Sequence, residues 1–257
     1  MKARVVPLAR GVRWLVEGWR LFRVSPPSWL ALVFVYWMVV TAVSLVPLLG
    51  VLVAMVLIPG FSVGFMAASR RCEQGKAPEL RALFDGFRDR VAVQLGLGAV
   101  YLLSLALLLA ATALADDGAL ARWMLLGSRP GDEVLQSDGF LAALTLAAGL
   151  YVPVMMLFWF APLLAAWHAM SAAQALFYSF FACLMNWRAF FGYGAAAAVV
   201  TLVIPFVVLS VLLLVSGGQL KVAAMTLVFP LLIILLPTLF ASFYASYRDV
   251  FGAQEEG

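Results

Sequence analysis

The chain has 257 residues, of which 65% are hydrophobic and 12% charged, and its mean hydropathy is +1.03. A soluble domain carries about twice that charged fraction, so a water-soluble globule is excluded and lipid is the expected solvent. The net charge of +4 comes with no continuous basic patch interleaved with aromatics outside the membrane-flanking segments, which excludes nucleic acid as the partner and leaves membrane orientation as the use of the positive charge.

The first stretch, residues 1–28, is basic, with Arg4, Arg10, Arg13, Glu17, Arg20 and Arg23 spread along it. A cleavable signal peptide would place a short basic region directly before an apolar core, so the first apolar run is expected to be an uncleaved span. Leu8, Val12, Leu15, Trp19 and Phe22 follow the three–four alternation of one helix face. Arg10, Arg13, Glu17 and Arg20 fall opposite. The pattern predicts an amphipathic helix over about 5–24 lying in the membrane interface. Ser25-Pro26-Pro27 ends it, because the residue before a proline avoids the helical region.

No charged residue lies between Ser28 and Ser69. As one helix that stretch would reach ~60 Å, twice the hydrocarbon thickness. Two spans are therefore predicted, about 29–47 and 51–68, turning at Pro47-Leu48-Leu49-Gly50; one long kinked helix is the alternative. The charged loop 70–90 carries a second amphipathic segment, about 79–90, with Leu80, Leu83, Phe84 and Phe87 on its apolar face. The third span, about 91–115, ends at Asp116-Asp117-Gly118. The fourth, about 140–167, is opened by Ser137-Asp138-Gly139. A third amphipathic segment, about 171–188, begins with Ser171 and Gln174 in capping-box spacing. Spans five and six, about 190–215 and 222–246, flank a turn at Ser216-Gly217-Gly218-Gln219, and the tail from Arg248 is polar.

The expected architecture is an all-α polytopic bundle of six transmembrane helices in one membrane domain over 1–257. Fourteen of the seventeen Lys and Arg residues fall on one side of that layout, and only Arg122, Arg129 and Lys221 on the other. The positive-inside rule makes the richer side cytoplasmic, with both termini there. Three cytoplasmic segments share a small or amide residue, an aromatic and an arginine before an odd-numbered span: Gly18-Trp19-Arg20, Gly86-Phe87-Arg88 and Asn186-Trp187-Arg188. The return spans also rhyme, since Arg70 and Arg248 each stand eleven residues after Pro59 and Pro237; Pro162 is a looser third member. Three parallel units of amphipathic helix, span and span are expected, related by an axis along the membrane normal. Trp19, Arg20, Phe87, Arg88, Trp187 and Arg188 are the candidate interfacial anchors.

The run from Phe61 to Phe87, with Gly75-Lys76-Ala77-Pro78 before Leu83-Phe84-Asp85-Gly86-Phe87-Arg88, resembles uncharacterised proteobacterial inner-membrane proteins. So does Phe160-Ala161-Pro162 through Ala175-Leu176, Ser179-Phe180 and Asn186-Trp187-Arg188. The resemblance is to a six-span family known as a domain of unknown function, and it covers nearly the whole chain. It implies a bacterial inner-membrane location and brings no catalytic residues with it.

The residues offer little chemistry. An ionisable group within a span costs ~2.5–3.5 kcal/mol on insertion scales and flags function; the core of each span lacks one. His168 is an interfacial histidine or a proton relay, and Gln94 a packing contact or a solute ligand. Pro59, Pro162 and Pro237 are candidate kink positions, and broken helices line the substrate sites of some transporters. Pro153, Pro205 and Pro230 also fall within spans. Gly60 and Gly64 make a GxxxG pair, a weak sign of helix association. Asp116, Asp117, Asp132, Glu133 and Asp138 are solvated loop acids or ligands for a divalent cation. Cys72 and Cys183 are expected as reduced cytoplasmic thiols, and with one histidine they match no zinc or haem spacing. No cofactor or metal is expected, and no enzyme activity, since no nucleophile–base pair, phosphate loop or carboxylate dyad is present. The expected function is a non-catalytic membrane scaffold or accessory protein, with a transporter or channel for a small or lipid-like solute as the alternative. The expected partners are the lipid bilayer and a membrane-protein partner or second copy.

Overall fold

The computed structural model describes residues 3–47, 49–88, 90–215 and 221–252, and all regular structure among them is helical. The order is α1 (Leu8–Val24), α2 (Pro26–Ser44), α3 (Gly50–Glu73), a short 3-10 helix (Leu80–Phe87), α4 (Val91–Asp116), α5 (Ala119–Leu126) and α6 (Asp132–Leu135). It continues with α7 (Asp138–Phe158), α8 (Ala161–Trp167), α9 (Ala172–Met185), α10 (Trp187–Ala198), a π-helical turn (Val199–Val203), α11 (Ile204–Val215) and α12 (Lys221–Phe251).

Five helical stretches among the described residues are long and apolar enough to cross a bilayer: Pro26–Ser44, Gly50–Glu73, Val91–Asp116, Asp138–Trp167 and Trp187–Val215. The 19 residues of the first already reach ~28 Å, close to the ~30 Å hydrocarbon core. The charge-free run after Ser28 forms two helices, with α3 starting at Gly50. Leu48 of the expected turn, the turn 216–219 and the tail beyond Gly252 lie outside the described residues.

Local chemistry sets several boundaries. Asp117 and Gly118 both take left-handed backbone angles (φ 51° and 78°) after α4, the conformation that asparagine, aspartate and glycine tolerate. The Asp116 carboxylate accepts from the N–H groups of Gly118 at 3.0 Å and Leu120 at 2.7 Å. Those bonds satisfy donors at the start of α5. Ser137 caps α7 by accepting from the Phe140 N–H at 3.2 Å. Ser171 and Gln174 close the capping box reciprocally before α9, at 3.1 and 3.4 Å.

The chain divides into two packed units, one of Met1–Val43, Gly60–Asp89 and Ala182–Gly257, the other of Ser44–Pro59 and Arg90–Phe181. In the first, α1 packs against α10 and α12. In the second, α4 pairs with α7, and Gly98 lets α4 approach the Val56 carbonyl. The stretch 116–138 holds α5 and α6 where the sequence suggested only a loop, because Ala119 and Leu120 bury against Phe140 and Ala143.

The fourth expected span is interrupted. α7 ends at Phe158 and α8 starts at Ala161. Ser179 bridges the break, accepting from the Phe160 N–H at 2.9 Å and donating to the Met156 carbonyl at 2.8 Å. Pro162 is the second residue of α8, whereas α3 and α12 continue through Pro59 and Pro237.

Candidate functional site

α1 differs in orientation from the sequence expectation. Its packed face is Gly11, Trp14, Gly18, Leu21 and Phe22. Leu8, Val12, Val16 and Trp19 are exposed, Trp19 at 41%. The expected apolar face is thus divided: Phe22 turns into the protein while Leu8, Val12 and Trp19 turn outward. The reason is steric. A Cβ at Gly11 would overlap the Ala189 carbonyl of α10, and one at Gly18 the Thr238 carbonyl of α12. Only the glycine side of α1 can approach two helix backbones this closely.

The expected polar face is divided too. Arg13 and Arg20 stay exposed, as does Arg23. Arg10 turns inward and grips Asp249 bidentately, Nε to Oδ2 at 2.6 Å and Nη2 to Oδ1 at 2.5 Å. The Trp14 indole N–H donates to the same carboxylate at 2.8 Å. Arg10 also lies 3.1 Å from Glu17. Glu17 pairs with Arg248, Arg248 with Glu73 of α3, and the Tyr244 hydroxyl donates to Glu73. Asp249 and Glu17 side chains are only 11% and 16% exposed. The hydrogen bonds that Arg10 donates to Asp249, the carboxylate's charge and that of Glu17 hold the Arg10 guanidinium above its usual pKa against the effect of burial. The network joins the first helix, the end of α3 and the last helix, where lone surface pairs would contribute little.

A third tie precedes α1. Asn186, between α9 and α10, is buried and accepts from the Val6 N–H at 2.8 Å. Its amide nitrogen donates to the Arg4 carbonyl and to Ala182, each at 2.9 Å. Arg4 N–H in turn donates to the Val250 carbonyl at 2.9 Å. Residues 4–24 are therefore fixed by an amide clip, two glycine contacts and an ion-pair network.

The three sequence triplets share one burial order. Gly18, Gly86 and Asn186 are buried; Trp19 and Trp187 are exposed and Phe87 half-buried; Arg20, Arg88 and Arg188 are exposed. Gly86 sits against the Gly60 carbonyl, as Gly18 sits against that of Thr238. Phe87 packs edge-on to Phe61 at 5.0 Å, and the Arg188 guanidinium lies 5.5 Å from the Trp187 ring centroid.

The chain is 40% identical over 253 residues to a probable inner membrane protein of Burkholderia thailandensis, an alignment covering 96% of this chain and 93% of the relative. The chain belongs to this family of bacterial inner-membrane proteins. It is multi-pass and resides in the inner membrane. No protein-family model matches it, and no solved structure matches it.

Other candidate positions in this inner-membrane protein are used structurally. Asp116 caps α5, and Arg129 lies 3.3 Å from Asp132. Asp116, Asp117, Arg122, Arg129 and Glu133 line a cavity of about 660 Å³ in the 116–138 region. No cluster of three metal-ligating side chains occurs among the described residues. Cys72 and Cys183 are buried, and neither is in a disulfide.

Gln94, 1% exposed, donates from Nε2 to the Pro162 carbonyl at 2.9 Å, and its Oε1 has no partner. A buried unpaired acceptor costs about 1–3 kcal/mol, more than one neutral hydrogen bond returns. Gln94→Leu is therefore expected to leave stability unchanged or raised by about 1 kcal/mol in detergent unfolding. A loss beyond about 2 kcal/mol would show that Gln94 holds α4 and α8 together.

The ion-pair network escaped the sequence reading because its members lie far apart in the chain, Arg10 and Asp249 by 239 positions. Two local signals pointed to it. Gly11 and Gly18 stand seven residues apart on one face, and Trp14 beside them needs an acceptor when buried.

Proposed function

We propose that this protein is a non-catalytic scaffold or accessory protein of the inner membrane, whose rigidly docked α1 forms a platform along the cytoplasmic surface. The observation that supports this is the triple fixation of residues 4–24: Asn186 on the backbone, the Gly11 and Gly18 contacts, and the Arg10–Asp249–Glu17–Arg248–Glu73 network. A helix so tightly docked, with its other face apolar and cationic, suits display better than motion.

The finer topology belongs to the same reading. α12 is the sixth span: its 31 residues reach ~46 Å, enough to cross and continue into the network. Both termini are cytoplasmic, and three parallel units of leading helix and two spans make up the chain. Reporter fusions at either end and within 70–85 are expected to read cytoplasmic, and fusions within 116–138 periplasmic. Opposite signals at residues 20 and 75 would contradict the first hairpin.

A second reading, a transporter for a small or lipid-like solute, is favoured by the α7–α8 interruption and the unpaired Gln94 oxygen beside it. Gln94→Cys and Ser179→Cys, in a chain with Cys72 and Cys183 replaced by serine, separate the two readings. The scaffold reading predicts that a membrane-impermeant thiol reagent labels neither cysteine from either side of the membrane. Labelling of either one from the aqueous phase would overturn it and favour a solute path.

A further inference from the structure

We infer that the outward face of α1 is a binding surface for anionic phospholipid headgroups. This rests on the platform reading and names the platform's partner. Arg10 and Glu17 are consumed by the network at Asp249 and Arg248. Arg13, Arg20 and Arg23 are exposed, and none makes an ion pair or hydrogen bond among the described residues. At 100° per residue, Arg13, Arg20 and Arg23 occupy an arc of about 80°. Val12 and Trp19 adjoin that arc on the exposed side, Val16 lies within it, and Leu8 continues the apolar strip.

The face therefore has an apolar strip and, beside it, a row of guanidinium groups with no acid to neutralise them. Packing has already used the opposite side of the helix, so this strip is not waiting for the protein's own core. Water alone would leave Leu8, Val12, Val16 and Trp19 solvated at a cost. Other proteins would need acids in register with three arginines spread over eleven residues. A bilayer surface supplies both halves at once: acyl-chain boundary for the strip and phosphate for the arginines, which bind phosphate in bidentate geometry. An indole at position 19 belongs at the same level. Neutral headgroups also carry phosphate, but their choline or amine compensates it. Three uncompensated cations select the lipid with net negative charge, each favouring it roughly fivefold where it reaches the headgroup plane.

The test reads lipid composition next to α1. Val16→Cys, with Cys72 and Cys183 replaced by serine, is labelled with a fluorophore, and the full chain is placed in nanodiscs of phosphatidylcholine and phosphatidylglycerol. In one set only the phosphatidylglycerol is brominated, in the other only the phosphatidylcholine. The inference expects quenching by brominated phosphatidylglycerol at least about fivefold above its mole-fraction share. R13Q/R20Q/R23Q should return it to that share, and R13K/R20K/R23K should retain most of the excess. Quenching in proportion to mole fraction in the unsubstituted arginine background would overturn the inference while leaving the platform intact. An excess that survives R13Q/R20Q/R23Q would also overturn it, since the enrichment would arise elsewhere. Absence of quenching by either lipid would overturn the platform reading as well, because α1 would not face the bilayer.

Discussion

Asp249→Ala is expected to release α1 from the last helix and to cost about 3 kcal/mol, the lower end for breaking a buried ion pair from one side. The carboxylate is 11% exposed and receives three donors, two from Arg10 and one from Trp14. Removing it leaves the Arg10 guanidinium beside Arg248 with Glu17 alone between them, and the Trp14 indole N–H buried without its acceptor. Arg10 is 27% exposed, so water relieves part of the penalty and holds the value at the low end. Asp249→Asn keeps an acceptor for Trp14 and should lose about half as much. Thermal unfolding in detergent gives the stability change, and protease protection of residues 1–25 gives its location. Equal protection in Asp249→Ala and the parent would show that the network does not hold the helix.

Gly11→Ala is expected to destabilise by about 1–3 kcal/mol through overpacking. The added methyl would meet the Ala189 carbonyl and, at 2.8 Å, the Tyr193 nitrogen. Both are backbone atoms of α10 and cannot rotate away, so the whole helix must shift. That shift also strains the Trp14 contacts with Phe190 at 5.3 Å and Tyr193 at 6.0 Å. Gly18→Ala should behave alike against Thr238 and Ser242. Gly149→Ala in α7 is the internal control: nothing lies within 4 Å of its added methyl. There the helix-forming gain of about 0.5–1 kcal/mol should appear unopposed. Equal effects at Gly11 and Gly149 would contradict the packing described for α1.

The spans were legible because membrane crossing is a local demand. Val91–Asp116 and Gly50 as the start of α3 follow directly from apolar length and from proline, glycine and aspartate at the ends. The caps at Ser137 and Ser171 were legible for the same reason, since each needs only residues three apart. The face by which α1 docks was not. Its periodicity shows one apolar arc, and Phe22 and Trp19 look equivalent within it. Only the carbonyls of Ala189 and Thr238, supplied by distant helices, decide that the glycine side goes inward. Asn186 is the clearest case. Its place in the triplet was visible, but its use as a clip on the Arg4 and Val6 backbone requires the first and third leading segments to meet. The α7–α8 break was half-visible: Pro162 marked the place, and the bridging hydroxyl of Ser179 came from the next helix.

The most direct test of the platform is a nitroxide scan of residues 5–24 in lipid nanodiscs, reading mobility and accessibility to oxygen. A docked interfacial helix predicts oxygen accessibility that rises at 8, 12, 16 and 19 and falls, with immobilised spectra, at 14 and 21. Mobile spectra throughout, or oxygen accessibility with no helical period, would contradict the account: residues 4–24 would then be a loose cytoplasmic segment, and the scaffold reading would lose its support.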